Sequence, residues 1–283
     1  MTPLIMGIVN VTPDSFSDGG RHFDPEAAIA HGRALRAAGA DLVDVGGEST
    51  RPGADRVAPA DELSRVLPVV AALAADGIVV SIDTMNAATA KAAVEAGARI
   101  VNDVSGGLAD PAMLAAVAAS DADIVLQHWR GHSADMYADA RYTDVVTEVV
   151  TELEARRRAA MAAGISPDRI VVDPGIGFGK RGEQNWEALR GLDRVTGIGA
   201  RVLVGTSRKR FLAEAVDADP AEVSEERRDL ATAVTSVLAA QAGVWAVRVH
   251  DVAATRDALA VWSRWEAPRG DDLRGDEPRR RER

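Results

Sequence analysis

The chain has 283 residues, 47% of them apolar, and its 33 basic and 43 acidic side chains give a formal charge of −10. This length suits one large core, and the acidic balance disfavours nucleic acid and anionic membranes as partners, because both favour a basic surface. The lack of cysteine excludes disulfides, zinc–thiolate sites and thiol nucleophiles, and together with an apolar start too short to span a membrane it predicts a soluble cytoplasmic protein.

Eight short apolar segments, each bounded by Gly, Pro or Asp, predict β-strands. They are nearly continuous in apolar residues, which is typical of strands that are buried on both faces of a parallel sheet. The predicted strands are Leu4–Val9, Leu42–Val45, Ile78–Ile82, Arg99–Val101, Ile124–Gln127, Ile170–Val172, Val202–Val204 and Ala246–Val249.

Alanine-rich stretches with helical spacing lie between these strands, and several stop at a glycine that can end a helix in the left-handed conformation. Strands and helices therefore alternate at the intervals of βαβ units, which predicts an α/β fold, an eight-stranded parallel (β/α)8 TIM barrel. The predicted helices include Pro25–Ala38, Ala87–Ala96, Pro111–Ala119, Thr143–Ala163 and Arg228–Ala242, and the helix-ending glycines are Gly39, Gly97, Gly164 and Gly243.

The barrel is expected to form one domain over residues 1–265, followed by a charged tail at 266–283. The tail has six acidic residues and six arginines among eighteen residues, so it cannot bury enough apolar surface to fold. Two connections, 10–24 and 46–62, are longer than a barrel needs and are rich in Pro, Gly, Ser and Asp. Loops of this length are usually functional lids or disordered.

Polar side chains follow several predicted strands at the point where each strand ends. Asp83, Asn102 and Asp173 are the clearest cases, and the carboxyl ends of barrel strands form the face where barrels carry out chemistry. Together they would offer hydrogen-bonding groups to a planar heterocycle with an amide and amino edge. The alternative is that each one caps the helix that follows it.

Basic residues collect after the last two strands, where many barrels bind phosphate. Lys209 and Arg248, together with Arg51, are predicted to bind a pyrophosphate, because each charge-assisted hydrogen bond contributes about 1.5–3 kcal/mol. Arg208 and Arg210 are expected instead to be solvated residues at the start of a helix.

Three other patterns point away from familiar sites. The glycine-rich stretch 175–180 matches neither a P-loop nor a dinucleotide fingerprint, so its glycines indicate a tight turn or close backbone approach. His128 and His132 are four residues apart, but Gly131 between them favours a loop over a helical metal site. Trp262 and Trp265 are expected to pack in the core or in a dimer interface.

The signatures taken together resemble dihydropteroate synthase, the folate-pathway enzyme family that joins p-aminobenzoate to a dihydropterin pyrophosphate. The most specific segments are Asn-Val-Thr-Pro-Asp-Ser-Phe-Ser-Asp-Gly-Gly at 10–20 and Gly-Gly-Glu-Ser-Thr-Arg-Pro-Gly-Ala at 46–54, and the resemblance extends over residues 6–251. The stretch His-Trp-Arg at 128–130 is similar to the actinobacterial branch.

The resemblance implies Mg²⁺ as cofactor, the two small-molecule substrates as ligands, and a homodimer. It also implies a role for individual residues. The pterin would be held by Asp83, Asn102, Asp173, Phe178, Gly205 and Lys209, with Gln127 and Trp129 nearby. The pyrophosphate would be bound by Arg51, Arg248 and His250, and by Asn10 through Mg²⁺. The p-aminobenzoate would be bound by Phe16, Thr50, Pro52 and Ser207. The catalytic residues would be Lys209, Arg248, His250 and Arg51. Gln127 stands where many relatives have methionine.

Two other functions share this fold and remain open from the sequence. One is a pterin-dependent methyltransferase domain, which would have no reason to keep the Thr50–Pro52 and Ser207–Lys209 signatures for a second substrate and a pyrophosphate. The other is a non-catalytic pterin-binding paralogue. The presence of intact Asn10, Arg51, Lys209 and His250 argues against it.

Overall fold

The computed structural model describes residues 2–12, 24–48, 57–132, 137–138, 140–217 and 219–267. Its eight strands are parallel and pair in chain order, and the last also pairs with the first. The predicted eight-stranded barrel is confirmed, and each strand lies within one or two residues of its predicted bounds. The strands are β1 (Leu4–Asn10), β2 (Leu42–Gly46), β3 (Val79–Asp83), β4 (Ile100–Asp103), β5 (Asp123–Gln127), β6 (Ile170–Asp173), β7 (Arg201–Val204) and β8 (Ala246–Val249).

The α-helices of the described ranges connect these strands, and they include all five of the predicted helices. The four glycines expected to end helices all have positive φ, so the predicted helix ends are confirmed. The helices are α1 (Pro25–Ala38), α2 (Pro59–Ala75), α3 (Ala87–Glu95), α4 (Met113–Ala118), α5 (Val145–Ala162), α6 (Glu183–Arg190), α7 (Leu192–Thr196), α8 (Arg210–Val216), α9 (Glu225–Gln241) and α10 (Val252–Glu266).

One predicted boundary is wrong. The loop expected to reach Glu62 ends earlier, because α2 begins at Pro59. Proline is favoured in the first turn of a helix, where its missing N–H costs nothing, and Asp61 and Glu62 add negative charge at the positive end of the helix dipole. The sequence signal for this helix start was therefore present at 59–62.

The interior of the barrel explains why polar residues gather at one rim. Seven buried apolar residues, one from every strand except β3, form a core cluster separate from the layer between strands and helices. Because side chains alternate along a strand, the residue two positions later points to the same inner side. That next layer is mostly polar and lies nearer the carboxyl ends of the strands. The cluster is Met6, Leu42, Ile100, Val125, Val171, Leu203 and Ala246, and the residues two positions later are Ile8, Asp44, Asn102, Gln127, Asp173, Gly205 and Arg248.

The last helix, α10, reaches Glu266, the first residue of the predicted tail. Residues 268–283 lie outside the described residues, so the division into one domain and a tail stays a prediction. Within the described ranges no helix is long and apolar enough to cross a membrane.

Candidate active site

Arg248, near the end of β8, joins two buried carboxylates at the mouth of the barrel. Its Nε donates to Asp44 Oδ2 at 2.6 Å, and its Nη2 donates to Asp83 Oδ2 at 2.8 Å. Asn102 Nδ2 also donates to Asp44 Oδ2, at 3.0 Å. Asp83, Asn102 and Arg248 therefore meet on one side of the rim, although they lie on three different strands.

Burial decides the charge state of this group. It raises the pKa of Asp83 to about 7, although the positive charge of Arg248 acts in the opposite direction. Burial works to lower the pKa of Arg248, but Asp44 and Asp83 hold it above its ordinary value. Near neutral pH, Asp83 can therefore accept or donate a proton, whereas the guanidinium stays charged.

Asp44 also has an oxygen that none of its neighbours satisfies. Its Oδ1, like the nearby Ser81 Oγ, is buried and has no hydrogen-bond partner among the described residues. An unsatisfied buried polar atom costs about 1–3 kcal/mol, so this arrangement favours a ligand or water that donates a hydrogen bond here. Sequence reasoning missed Asp44. The available signal was a charged residue inside an otherwise apolar strand.

Lys209 forms the second side of the rim together with the loop after β6. Its Nζ donates to the carbonyl oxygen of Ile176 and lies 4.6 Å from the centroid of the Phe178 ring. Burial lowers the pKa of Lys209 to about 8, with the charge of Asp173 opposing the shift. Burial also raises the pKa of Asp173, against the effect of Lys209.

Two glycines of the loop after β6 allow the close contacts on this side. Gly175 and Gly177 have φ of 63° and 81°, which L side chains rarely adopt. A Cβ on Gly177 would lie 2.6 Å from Lys209 Cδ, and one on Gly175 would clash with the carbonyl oxygen of His128. The prediction that these glycines mark a tight turn and close backbone approach is confirmed.

Gly205 lies between the two cations of the rim. A Cβ built there would be 3.7 Å from Arg248 Cβ and 4.0 Å from Lys209 Nζ. The predicted pterin residues Asp83, Asn102, Asp173, Phe178, Gly205 and Lys209 are all within the described ranges and lie at the carboxyl ends of β3, β4, β6 and β7 or in the segments that follow them. The structure thus brings this set to one end of the barrel.

Ser207 and His250, predicted for different substrates, are hydrogen-bonded to each other. Their side chains meet at 2.8 Å between Oγ and Nδ1, and the backbone N–H of His250 donates to Ser207 Oγ at 3.0 Å. Ser207 thereby fixes the orientation of the imidazole beside the strand ends. Asn10 is the last residue of β1 and is half-buried at the same rim. Phe16, Thr50, Arg51 and Pro52 lie outside the described residues.

The residues expected to be solvated differ from each other. Arg210 is exposed, as predicted, and pairs with Glu214 one turn along α8 at 2.8 Å. The prediction for Arg208 is wrong. Its guanidinium binds both carboxylate oxygens of Asp229 on α9 at 2.8 Å, and its backbone has a φ of 57°. The bidentate ion pair holds the segment between β7 and α8 against α9.

The two histidines of the segment after β5 lie in different surroundings. His128 is buried, and its Nδ1 lies 3.1 Å from Lys180 Nζ. His132 is exposed and packs its ring edge against Trp129, with centroids 4.9 Å apart. Gln127 Nε2 donates to the backbone oxygen of Val104 at 3.4 Å. The described ranges contain no group of three or more His, Cys, Asp or Glu side chains that could hold a metal.

Comparison with known proteins decides the family. The family described as "Pterin binding enzyme" matches residues 6–250. The dihydropteroate synthase of Mycobacterium leprae is 54% identical over 263 residues, which are 92% of this chain and 93% of that protein. The chain belongs to the dihydropteroate synthase family of pterin-binding enzymes. It is therefore an enzyme, a transferase, and the resemblance seen in the sequence is confirmed.

Solved structures agree with this assignment in shape as well as in sequence. The Xanthomonas albilineans dihydropteroate synthase with 4-aminobenzoic acid superposes with a TM-score of 0.86 at 47% identity, covering 94% of this chain and 93% of that one. The same enzyme in complex with 7,8-dihydropteroate gives a TM-score of 0.83 at 43% identity, covering 94% of each chain.

Proposed function

We propose that this transferase condenses 6-hydroxymethyl-7,8-dihydropterin pyrophosphate with p-aminobenzoate, giving 7,8-dihydropteroate and pyrophosphate in folate biosynthesis. One observation carries the proposal: acids and cations from five strands or their following segments converge at one rim of the barrel. The buried carboxylates suit a flat ring with N–H donors, and the cations suit a diphosphate. We place the reaction in the cytoplasm, in keeping with the cysteine-free composition.

Recognition of the pterin follows from the hydrogen-bonding groups of the rim. The ring amide and the amino group of a pterin donate, so Asp83 and Asp173 accept from them. The ring oxygen and nitrogens accept, so Lys209 and Asn102 donate to them. Phe178 and Gly205 line the ring faces. Because the carboxylates are buried and partly satisfied by the protein, a ring that completes their hydrogen bonds is favoured over one that does not.

The reaction begins when the bond between the pterin methylene carbon and the pyrophosphate oxygen breaks. The electron pair leaves with the pyrophosphate, and the positive charge on the methylene carbon spreads into the ring. The carboxylates of Asp83 and Asp173 favour that charge. The amino group of p-aminobenzoate, neutral near pH 7, then forms the new C–N bond and releases one proton, so no dedicated base is needed.

Cations at the rim stabilise the leaving group. Arg51, Arg248 and His250 are assigned to the phosphate oxygens, and removing one preorganised hydrogen-bond donor of this kind typically raises the barrier by about 2.7–4 kcal/mol. Arg248 uses Nε and Nη2 on the two aspartates. A guanidinium has five N–H donors, so it can hold the buried carboxylates and a phosphate oxygen together.

The residues of the rim fit a magnesium ion that enters with its substrate. Asn10 offers one amide oxygen at the end of β1. Mg²⁺ requires oxygen ligands, keeps several waters and takes much of its coordination from substrate phosphates, so one amide oxygen suits an ion that arrives with the pyrophosphate. When bound, Mg²⁺ supplies additional positive charge to the departing pyrophosphate. Asn10 would hold it, with no further cage of carboxylates required.

The p-aminobenzoate site is assigned to Ser207 together with Phe16, Thr50 and Pro52. Ser207 is beside His250 at the rim, next to the site proposed for the leaving group. The other three belong to the long connections after β1 and β2 that the sequence singled out as functional. Closure of such loops excludes water, which would otherwise convert the pterin cation to an alcohol.

A product assay tests this function and its metal requirement together. The chain with both substrates and Mg²⁺ should form 7,8-dihydropteroate and pyrophosphate in equal amounts, as measured by chromatography and phosphate release. Chelation of all divalent metal should lower the rate at least about 10²-fold, since a catalytic Lewis acid contributes several kcal/mol. Restoring Mg²⁺ should restore the rate.

Other outcomes of the assay distinguish the alternatives. Pterin binding without product would indicate a non-catalytic paralogue, and methyl transfer from methyltetrahydrofolate would indicate a methyltransferase domain. Full activity in the chelated arm would exclude the role of Asn10 as a metal ligand.

We further propose that the enzyme is a homodimer formed through α9 and α10. These two helices pack against each other and expose an apolar stripe of Leu230, Val234, Leu238, Val261 and Trp265. Trp265 is 82% exposed, so it does not pack in the core of one chain. Trp262 is partly buried against that core. A contiguous exposed apolar patch on a folded domain typically marks an interface, and a second copy could present the same patch about a two-fold axis.

Sedimentation of two matched variants tests the dimer. Leu238→Glu places a charge in the stripe and should convert the dimer to a monomer. Met161→Glu, on the exposed face of α5, should leave the sedimentation coefficient of the dimer unchanged. A monomeric wild-type chain at micromolar concentration would contradict the proposal.

A further inference from the structure

Lys180, at the end of the loop after β6, is a buried lysine that the reaction described above does not use. It is 1% exposed. The chain has only three lysines, of which Lys91 is on the surface and Lys209 lies in the rim. Lysine is almost never fully buried without partners, so its position calls for a specific set of contacts.

The ammonium of Lys180 has three acceptors and three N–H donors to match them. Its Nζ lies 3.1 Å from His128 Nδ1 and donates to the carbonyl oxygens of Gly175 at 3.0 Å and Phe178 at 3.2 Å. A protonated lysine has three donors, whereas a neutral amine has two. The contacts therefore fit the charged form, and they connect both ends of the loop to the segment that follows β5.

Asn185 on α6 fastens the same loop from the other side. Its Oδ1 accepts from the backbone N–H of Gly177 at 2.6 Å, and its Nδ2 donates to the carbonyl oxygen of Lys180 at 3.3 Å. The loop backbone is thus held at Gly175, Gly177, Phe178 and Lys180. Its shape is set by two buried side chains that do not reach the rim themselves.

His128 presents an acceptor to Lys180 because it is neutral. Burial lowers the pKa of His128 to about 4, and the charge of Lys180 adds to the shift. A neutral imidazole that accepts at Nδ1 carries its proton at Nε2. That atom lies 2.9 Å from Glu152 Oε2 on α5, without the geometry of a hydrogen bond, and Glu152 also binds Arg130. Burial works to raise the pKa of Glu152, but His128 and Arg130 lower it to about 2.

The loop connects this buried cluster to the rim. The carbonyl oxygen of Ile176 accepts from Lys209, and the Phe178 ring lies against the same ammonium. Ile176 and Phe178 are flanked by the atoms that Lys180 and Asn185 hold. A change at Lys180 would therefore be felt at Lys209 through the backbone of residues 175–178.

We propose that Lys180 is a positioning residue for pterin binding: its ammonium, seated on His128, fixes the loop at 175–179 so that Ile176 and Phe178 hold Lys209 in place. This inference rests on the proposed pterin function of Lys209. It adds a residue that touches no substrate and acts through the loop alone.

The contacts of Lys180 should depend on pH. Burial lowers the pKa of Lys180 to about 7. The carboxylates of Asp173 and Glu152 oppose this shift, whereas the positive charges of Lys209 and Arg130 add to it. As the pH rises through this value, the amine loses one donor and one of its three acceptors is left unpaired. Asp83 and Lys209 titrate in the same region, with pKa values of about 7 and 8. Only a comparison with a variant at Lys180 isolates its contribution.

Calorimetry with 6-hydroxymethyl-7,8-dihydropterin provides that comparison. Lys180→Met should raise the dissociation constant about tenfold at about pH 6 and less than about threefold at about pH 9, where the wild type has lost the same proton. The dissociation constant for p-aminobenzoate measured with pyrophosphate should change little. Lys91→Met is the matched control on the surface. A ratio of variant to wild type that stays constant across pH, or equals one, would overturn the proposal.

Two variants at His128 separate positioning from general damage. His128→Asn keeps an acceptor near the place of Nδ1 and should retain most pterin affinity, whereas His128→Leu removes it and should behave like Lys180→Met. An equal loss of pterin affinity in both variants would count against the proposed contact between Lys180 and His128.

Lysine-selective NMR on the wild type tests whether Lys180 positions the loop, even where a variant fails to fold. The three lysines give three side-chain signals. The Lys180 signal is the one that disappears in Lys180→Met. If that variant does not fold, it is the signal that remains once the other two are assigned. It should titrate near neutral pH together with the backbone amides of the loop. Titration of Lys180 near the ordinary lysine pKa of about 10.4, with no response in the loop, would overturn the proposal. Absence of pterin binding by the wild type would instead refute the proposed function.

Discussion

Arg248→Met is expected to lower kcat/KM for the pterin substrate roughly 10²- to 10³-fold, because it removes a guanidinium proposed to hold a phosphate oxygen during departure. It should also destabilise the fold. Asp44 and Asp83 would lose the partner that they share, and breaking a buried ion pair typically costs about 3–5 kcal/mol. Urea unfolding and steady-state kinetics on the same preparation measure both effects.

The loss of stability in Arg248→Met should depend on pH. Without the guanidinium, the pKa of Asp83 should rise further above its unfolded value of about 3.9. The native state then binds a proton that the unfolded state does not, so the free energy of unfolding falls as the pH rises between these two values. The variant should therefore be closer to wild type at about pH 5 than at about pH 8. Arg210→Met, at an exposed arginine, is the control, and a destabilisation independent of pH would contradict this account.

Lys209→Met is expected to raise the dissociation constant of the pterin at least about tenfold, a change of about 1.4 kcal/mol. The ammonium is proposed to donate to the pterin ring, and its removal also takes away the charge that most strongly compensates Asp173. Because burial lowers the pKa of Lys209 to about 8, wild-type affinity should decline as the pH rises through that value. The variant should lack this part of the decline.

Calorimetry at several pH values measures the effect of Lys209→Met. Lys91→Met, with the same change on an exposed lysine, should bind the pterin as the wild type does. Unchanged affinity in Lys209→Met would exclude a direct contact between this lysine and the ring. Equal pH dependence in the variant and the wild type would assign the titration to another group.

The barrel could be predicted from the sequence because its signals are local. Parallel strands buried on both faces appear as short apolar runs, and helices between them end at glycines such as Gly39 and Gly164. The polar residues at the strand ends were equally visible, since Asp83, Asn102 and Asp173 interrupt the apolar pattern where each strand stops. Closure of the barrel then brings them to one rim without further information.

The parts that sequence reasoning missed depend on contacts between distant segments. Asp44 and Arg248 are 204 residues apart, and only the closed barrel shows that they pair. Arg208 resembled a solvated helix-start residue because Asp229, its partner, is on another helix. Lys180 entered the sequence argument only as a mismatch to nucleotide-binding motifs. Its acceptors are two backbone carbonyls and a histidine in the segment after β5, and composition and spacing contain no signal for such contacts.

A crystal structure with 6-hydroxymethyl-7,8-dihydropterin pyrophosphate bound tests the central claim most directly. The pterin ring should lie at the carboxyl ends of the strands, with its N–H groups about 2.7–3.2 Å from carboxylate oxygens of Asp83 and Asp173, and its diphosphate should extend toward Arg248 and His250. A ring bound elsewhere on the molecule, or with its diphosphate directed away from both Arg248 and His250, would contradict the account.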